Sequence, residues 1–192
     1  TSFDITTAAL NYAPHQNVSA ACTSGNQLQD PGFEASTDTG LVTNPFWPST
    51  STQFGTSLCS VAACGSVASA VPRNGTYWAW FGGTDGPETG TVSQPVTFPS
   101  GGSATLNYFL RIGAVNAPFT DVLNVKVDGT TVQTITEPST AEASYTLRTI
   151  NLNAFANGAV HTILFEYVSP SGGAIASFNI DDVTLDVICP AA

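Results

Sequence analysis

Apolar and polar residues alternate in short runs along most of this chain, and Gly and Pro bound the runs. Residues 92–98 and 104–112 are two of them, separated by Pro99-Ser100-Gly101-Gly102. Residues 122–127 lead into Asp128-Gly129, and 131–135 return. An Asp-Gly pair between two alternating stretches predicts a tight β-hairpin. Three further strands are predicted at 145–152, 161–168 and 177–187, while only Ala154-Phe155-Ala156 suggests a helical turn. Many short strands with almost no helix predict an all-β sandwich or barrel. The first residues differ. Phe3 and Ile5 alternate with polar neighbours as in a strand, and Tyr12-Ala13-Pro14-His15-Gln16-Asn17 follows as a linker. One domain is therefore expected over 22–192, preceded by an extension over 1–21.

Composition narrows the class. At 192 residues the chain is long enough for one sizeable core. Charged residues make up only 9%, so Ser, Thr, Asn, Gln and Gly must cover the surface, while 42% hydrophobic residues exclude the composition of disorder. A formal net charge of −10 repels a phosphate backbone, and no basic patch offsets it, which excludes nucleic acid as a partner. No run approaches the ~20 apolar residues of a membrane-spanning helix, so membrane insertion is not expected. Four cysteines in an acidic, Lys-poor chain favour an oxidising compartment, and the start at Thr1 with no Met reads as a mature secreted or cell-surface product. Zinc is the competing use of the cysteines. However, Cys59-x4-Cys64 is loosely spaced for zinc, and neither His15 nor His161 belongs to a ligand pair. Of three possible connectivities the expected one is Cys59–Cys64, a small loop clip, with Cys22–Cys189 joining the domain ends.

Two acidic segments near opposite ends carry the chemistry: Asp30-Pro31-Gly32-Phe33-Glu34 and Phe178-Asn179-Ile180-Asp181-Asp182-Val183. Their carboxylates sit among apolar residues, and a buried carboxylate must be hydrogen-bonded, paired or metal-bound. With 4 Lys and Arg against 14 Asp and Glu, protein cations cannot neutralise most of them. A hard cation with oxygen ligands, calcium above all, is the expected alternative. Tyr77-Trp78-Ala79-Trp80-Phe81 supplies four rings. On a strand, Trp78 and Trp80 share one face, and Tyr77 and Phe81 the other. One set must be core, and the other is either covered by a loop or a sugar-stacking platform. Trp47, between Phe46 and Pro48 in a loop-like stretch, is the more attractive exposed aromatic. Catalysis is not expected: no Gly-x-Ser-x-Gly elbow is present, no Gly-rich loop leads from strand to helix, and His161 reads as structural. Asp181 and Asp182 point to opposite faces of a regular strand, which makes them a poor acid/base pair. Asn17-Val18-Ser19 and Asn74-Gly75-Thr76 fit the glycosylation sequon.

Asn26-Gln27-Leu28-Gln29-Asp30-Pro31-Gly32-Phe33-Glu34 resembles the opening of jelly-roll modules in the galactose-binding-like superfamily, many of them carbohydrate-binding modules of secreted bacterial enzymes. Ile180-Asp181-Asp182-Val183 resembles their closing strand, and Trp80-Phe81-Gly82-Gly83 with 92–96 resembles the middle of such domains. The likeness runs from Cys22 to Cys189. It implies a jelly-roll sandwich without catalytic activity and a structural calcium held by Glu34 and Asp181, with Asp182 and Asp30 as further candidates. Trp47 and Trp78 are the candidate sugar-binding aromatics.

The extension lies outside that resemblance and sets the functional expectation. A strand-like terminus can pair with an open sheet edge of a neighbouring subunit. The main expectation is therefore a calcium-stabilised structural subunit of an extracellular assembly or filament, a homo-oligomer or polymer joined through Phe3 and Ile5. The alternative is a secreted carbohydrate-binding module or lectin-like adhesin with a polysaccharide partner.

Overall fold

The structure, a computed structural model, describes residues 22–67, 70–170 and 175–190. The extension at 1–21, with Phe3 and Ile5, lies outside the described residues. The chain forms β1 (Gly25–Asn26), β2 (Thr37–Asp38), β3 (Val42–Thr43), β4 (Ser49–Ser51) and β5 (Leu58–Ser60). After these come a one-turn helix α1 (Val61–Cys64), β6 (Tyr77–Gly82), β7 (Glu88–Thr97), β8 (Ser103–Ala114), β9 (Val122–Val127) and β10 (Thr130–Thr136). β11 (Thr146–Asn151), a 3-10 turn at Asn153–Phe155, β12 (Val160–Ser169) and β13 (Ser177–Ile188) complete it.

The strands make two antiparallel sheets. One has the order β11-β8-β13-β6-β5, with β1 pairing the end of β13; the other has the order β10-β9-β12-β7-β4. Side chains alternate across each sheet, and the inward rows meet between them. Leu106, Tyr108 and Leu110 of β8 and Phe178, Ile180 and Leu185 of β13 face Val92 of β7, Val125 of β9 and Phe165 of β12, all fully buried. Tyr108 and Phe165 meet edge to face across the sandwich, with ring centroids 5.1 Å apart. Each such burial contributes about 1.5–3 kcal/mol relative to exposure. The hairpin joining β9 to β10 turns on Asp128 and Gly129, at φ +50° and +79°, the left-handed pair a two-residue turn requires.

Three features position the functional elements. First, Cys22 is bonded to Cys189 and Cys59 to Cys64; the first bond joins the two ends of the sandwich, and the second closes α1 against β5. Second, β13 is not a regular strand. Its register against β8 slips between Asp181 and Thr184, and Asp182 adopts φ +50°, which is a β-bulge. Third, β4 covers only Gly90–Val92 of the ten-residue β7. Ser93 still donates its N–H to the Pro48 carbonyl, but beyond it no strand among the described residues pairs with that edge.

Candidate functional site

The acidic segments meet around one loop. Glu34 Oε1 accepts the backbone N–H groups of Thr76 and Tyr77 at 2.8 and 2.9 Å. Asp181 Oδ2 accepts those of Arg73 and Asn74 at 2.8 and 3.1 Å, and its Oδ1 accepts the N–H of Asp182 at 2.8 Å. Asp182 pairs with the Arg73 guanidinium and accepts from Asn74 Nδ2. The bulge corrects the expectation that Asp181 and Asp182 serve opposite faces, because both carboxylates hold the same loop. Gly32 lies against all three acids. A methyl there would sit 3.6 Å from Asp182 Oδ1, 3.9 Å from Asp181 Oδ1 and 3.7 Å from Glu34 Cγ. Asp181 is fully buried, and desolvation pushes its carboxyl up to about 7, against the backbone donors that favour its ionised form.

These acids are thus satisfied largely by main-chain N–H groups, which composition does not reveal. Asp30 stands apart from the other three: its Oδ2 accepts from Ala35 N and Asn44 Nδ2, and its carbonyl accepts from Phe33 N. It organises its own left-handed turn, a common use of Asp at φ +48°. Among the described residues no three His, Cys, Asp or Glu side chains are grouped to hold a metal ion. An ion here would have to draw on Glu34, Asp181 and backbone carbonyls.

Neither aromatic expected to bind sugar is available to do so. Trp47 is fully buried; its indole N–H donates to the Asp30 carbonyl at 2.8 Å, and its ring packs on Phe33. The loop that carries it plugs the end of the sandwich, so the large ring is drawn inward, and Phe46 beside it is left 37% exposed. Trp78 is also fully buried, beneath Ala70 and the Cys59–Cys64 bridge. Its indole donates to Asn179 Oδ1 at 3.0 Å, while Asn179 Nδ2 is held by Ser177 and Arg111. The segment between α1 and β6 covers this face, which is the loop-cover alternative.

Trp80 is the tryptophan that reaches a cleft. It is half-buried, stacks at 24° on Trp78, and lines a cavity of about 370 Å³ with Val42, Leu58, Thr56 and the Cys59–Cys64 bridge. The rim is apolar: Leu41, Phe54 and Val67 are 55%, 52% and 61% exposed. Trp80 Nε1 is buried and has no hydrogen-bond partner among the described residues. Its ring lies so close to the chain that a methyl on Gly83 would be 2.5 Å from Cζ2. The Gly82-Gly83 pair after Trp80 is the sequence signal of that close approach, since both glycines also adopt positive φ.

Among the described residues, His161 and the buried acids away from the 73–77 loop are engaged by hydrogen bonds. Both ring nitrogens of His161 are engaged, Nδ1 with Asp128 and Nε2 with Asn157, and the ring packs on Phe98. Glu88 is buried, accepting from Ser51 Oγ and Gly82 N, and burial raises its carboxyl above the ordinary range. Buried Asp121 accepts from the Tyr167 hydroxyl, and Glu137 accepts from Asn116 N.

No protein-family model and no curated protein matches the sequence. Solved structures do match. A family 61 carbohydrate-binding module in complex with β-1,4-galactotriose is 20% identical with a TM-score of 0.56, over 84% of this chain and 98% of that one. The K1 cleaved adhesin domain of Lys-gingipain from Porphyromonas gingivalis is 10% identical with a TM-score of 0.51, over 83% and 96%. A cyclase from Fischerella sp. TAU is 12% identical with a TM-score of 0.52, over 88% and 98%. At these identities the likeness is one of fold, and binding modules share that fold with enzymes. The shared fold is a jelly-roll β-sandwich.

Proposed function

We propose that this chain is a non-catalytic, extracellular carbohydrate-binding module whose ligand lies in the Trp80 cleft. One observation carries the reading: the half-buried Trp80 ring lines an apolar-rimmed cavity. A saccharide suits that surface, because the C–H face of a pyranose packs on an aromatic ring. The two disulfides support an oxidising, extracellular setting. The galactotriose bound by the structural neighbour makes β-1,4-galactan the first ligand to test.

Calcium belongs to the same proposal as a structural ion. Glu34 and Asp181 would each give it an oxygen, with backbone carbonyls completing the shell, and Asp182 would stay with Arg73. Bound there, it would tie the 30–34 turn to β13.

Titration calorimetry on galactan and on a polysaccharide panel should show binding that Trp80→Ala weakens at least tenfold, with the variant shown still folded by circular dichroism at the assay temperature. Binding by Trp80→Ala equal to the parent, or silence across the panel, would overturn the reading.

A further inference from the structure

We propose that the uncovered edge of β7 is an acceptor groove for the N-terminal segment, residues 1–10, of a second copy of this chain. The proposal is independent of saccharide binding. It starts from the shape of the second sheet, in which β4 pairs only Gly90–Val92 and, among the described residues, no strand pairs 93–97 on that side. An open groove of about 480 Å³ lies along the uncovered stretch. Gln27, Gln29, Phe46, Pro48, Pro95 and Thr97 line it, and none of these is charged. Gln94 bridges the gap beneath it: its Oε1 accepts from Gln29 N and its Nε2 donates to the Gln29 carbonyl. The side-chain amide thus ties the groove wall at Gln29 to β7 and leaves the main-chain edge of β7 unpaired there by any described strand.

The edge chemistry selects the occupant. Ser93 points its N–H outward, to Pro48, so by the two-residue period the nitrogen of Pro95 faces the same free side. Pro95 has no N–H to give. Two β7 edges pairing symmetrically would each lose bonds there, which disfavours an isologous contact and leaves a different segment as donor. Residues 1–10 fit: Phe3 and Ile5 share one side of an extended chain, and Asp4 is the one charge among them. Five residues of uncovered edge need about 17 Å of strand, well within ten residues at about 3.3 Å each. Gln27 and Gln29 form a wall of the groove, and upstream of them the chain reaches Cys22, which is fixed to Cys189 and lies against Gly102 just beyond β7. The groove is assigned to the segment of a second copy, and filling by the chain's own segment is the outcome the test below separates. Such a head-to-tail contact repeats, so it builds a ring or filament.

Complementation between full-length variants tests it, read by light scattering after size exclusion. The parent should assemble. Phe3→Asp with Ile5→Asp (donor dead) and Phe46→Glu (groove dead) should each be monomeric with the parent's melting temperature. Mixed together, the two should form a 1:1 heterodimer, since one retains a groove and the other a donor. Thr97→Lys is a second groove variant and should behave as Phe46→Glu. A monomeric parent, the absence of a heterodimer, or assembly by the groove variants would overturn the proposal. A monomer destabilised by the Phe3/Ile5 change would assign the groove to the chain's own terminus and overturn it equally.

Discussion

A single buried carboxylate shows how residue-scale chemistry sets the behaviour of this protein. Glu88 sits at the start of β7 with one oxygen on Ser51 Oγ and the other on the N–H of Gly82. Desolvation is the largest influence on it, the hydrogen bonds from Ser51 and Gly82 oppose that, and the nearby Asp121 adds to it, so its pKa is raised when folded. The native state therefore keeps this proton to higher pH than the unfolded chain does. Glu88 favours folding most fully below its unfolded value, and the benefit is lost as pH rises through the raised folded value. Glu88→Gln mimics the neutral acid. Denaturant midpoints between pH 4.5 and 7.5 should fall less steeply for the variant than for the parent, with the variant the more stable at pH 7.5. Parallel profiles would show that Glu88 is not the source. The aromatics give the parallel lesson about legibility. Trp47, Trp78 and Trp80 look alike as letters, and exposure depends on which loop folds over which ring. The Gly82-Gly83 pair was the readable sign that Trp80 needs an unusual backbone beside it.

At the scale of elements, the long strands were legible because their alternation is clean. β8, β9, β12 and β13 lie where the pattern puts them, and Asp128-Gly129 turns as its residues require. β4, β5 and α1 were not legible, since three or four residues carry no period, and α1 depends on the Cys59–Cys64 closure and the Ser60 cap. The bulge in β13 was hidden for another reason. Glu34 and Asp181 were visible as acids, but their partners in 73–77 are main-chain N–H groups, which any residue types could supply. Gly75, at φ +64° with Glu34 Oε1 2.2 Å from where a methyl would stand, is the sequence trace of the close approach at Glu34 in this clamp. The clamp and the proposed calcium can be separated by Glu34→Gln, which keeps the oxygen that accepts from Thr76 and Tyr77 and removes the charge. At a hundredfold excess over its dissociation constant, calcium would add about 2.7 kcal/mol, or roughly 5–10 °C in melting temperature. The parent should show that increment over chelated protein, and Glu34→Gln should melt at the chelated temperature in both conditions. Identical parent curves with calcium and with chelator would remove the ion and leave the clamp.

Across the whole molecule, the two disulfides act at opposite scales. Cys22–Cys189 closes a loop of sequence separation 167, while Cys59–Cys64 closes one of 5. In the chain-entropy account the long closure restricts the unfolded chain far more, by about 5 kcal/mol against about 2 kcal/mol for the short one. The long bond joins the start of β1 to the end of β13, where the sandwich is finished by two residues of pairing, so its effect should be global. The short bond packs with Trp78 and Trp80 and lines the Trp80 cleft, so its effect should be local to ligand binding. Replacing Cys22 and Cys189 with Ser should lower the melting temperature by roughly 5–15 °C and leave saccharide affinity unchanged. Replacing Cys59 and Cys64 with Ser should lower it less, yet weaken saccharide binding severalfold as the wall behind Trp80 loosens. If the short bridge proved the costlier of the two to lose, the global role of the Cys22–Cys189 staple would be wrong. If its loss left binding untouched, the cleft wall would not need it, and the link between the disulfide, Trp80 and the ligand would fail.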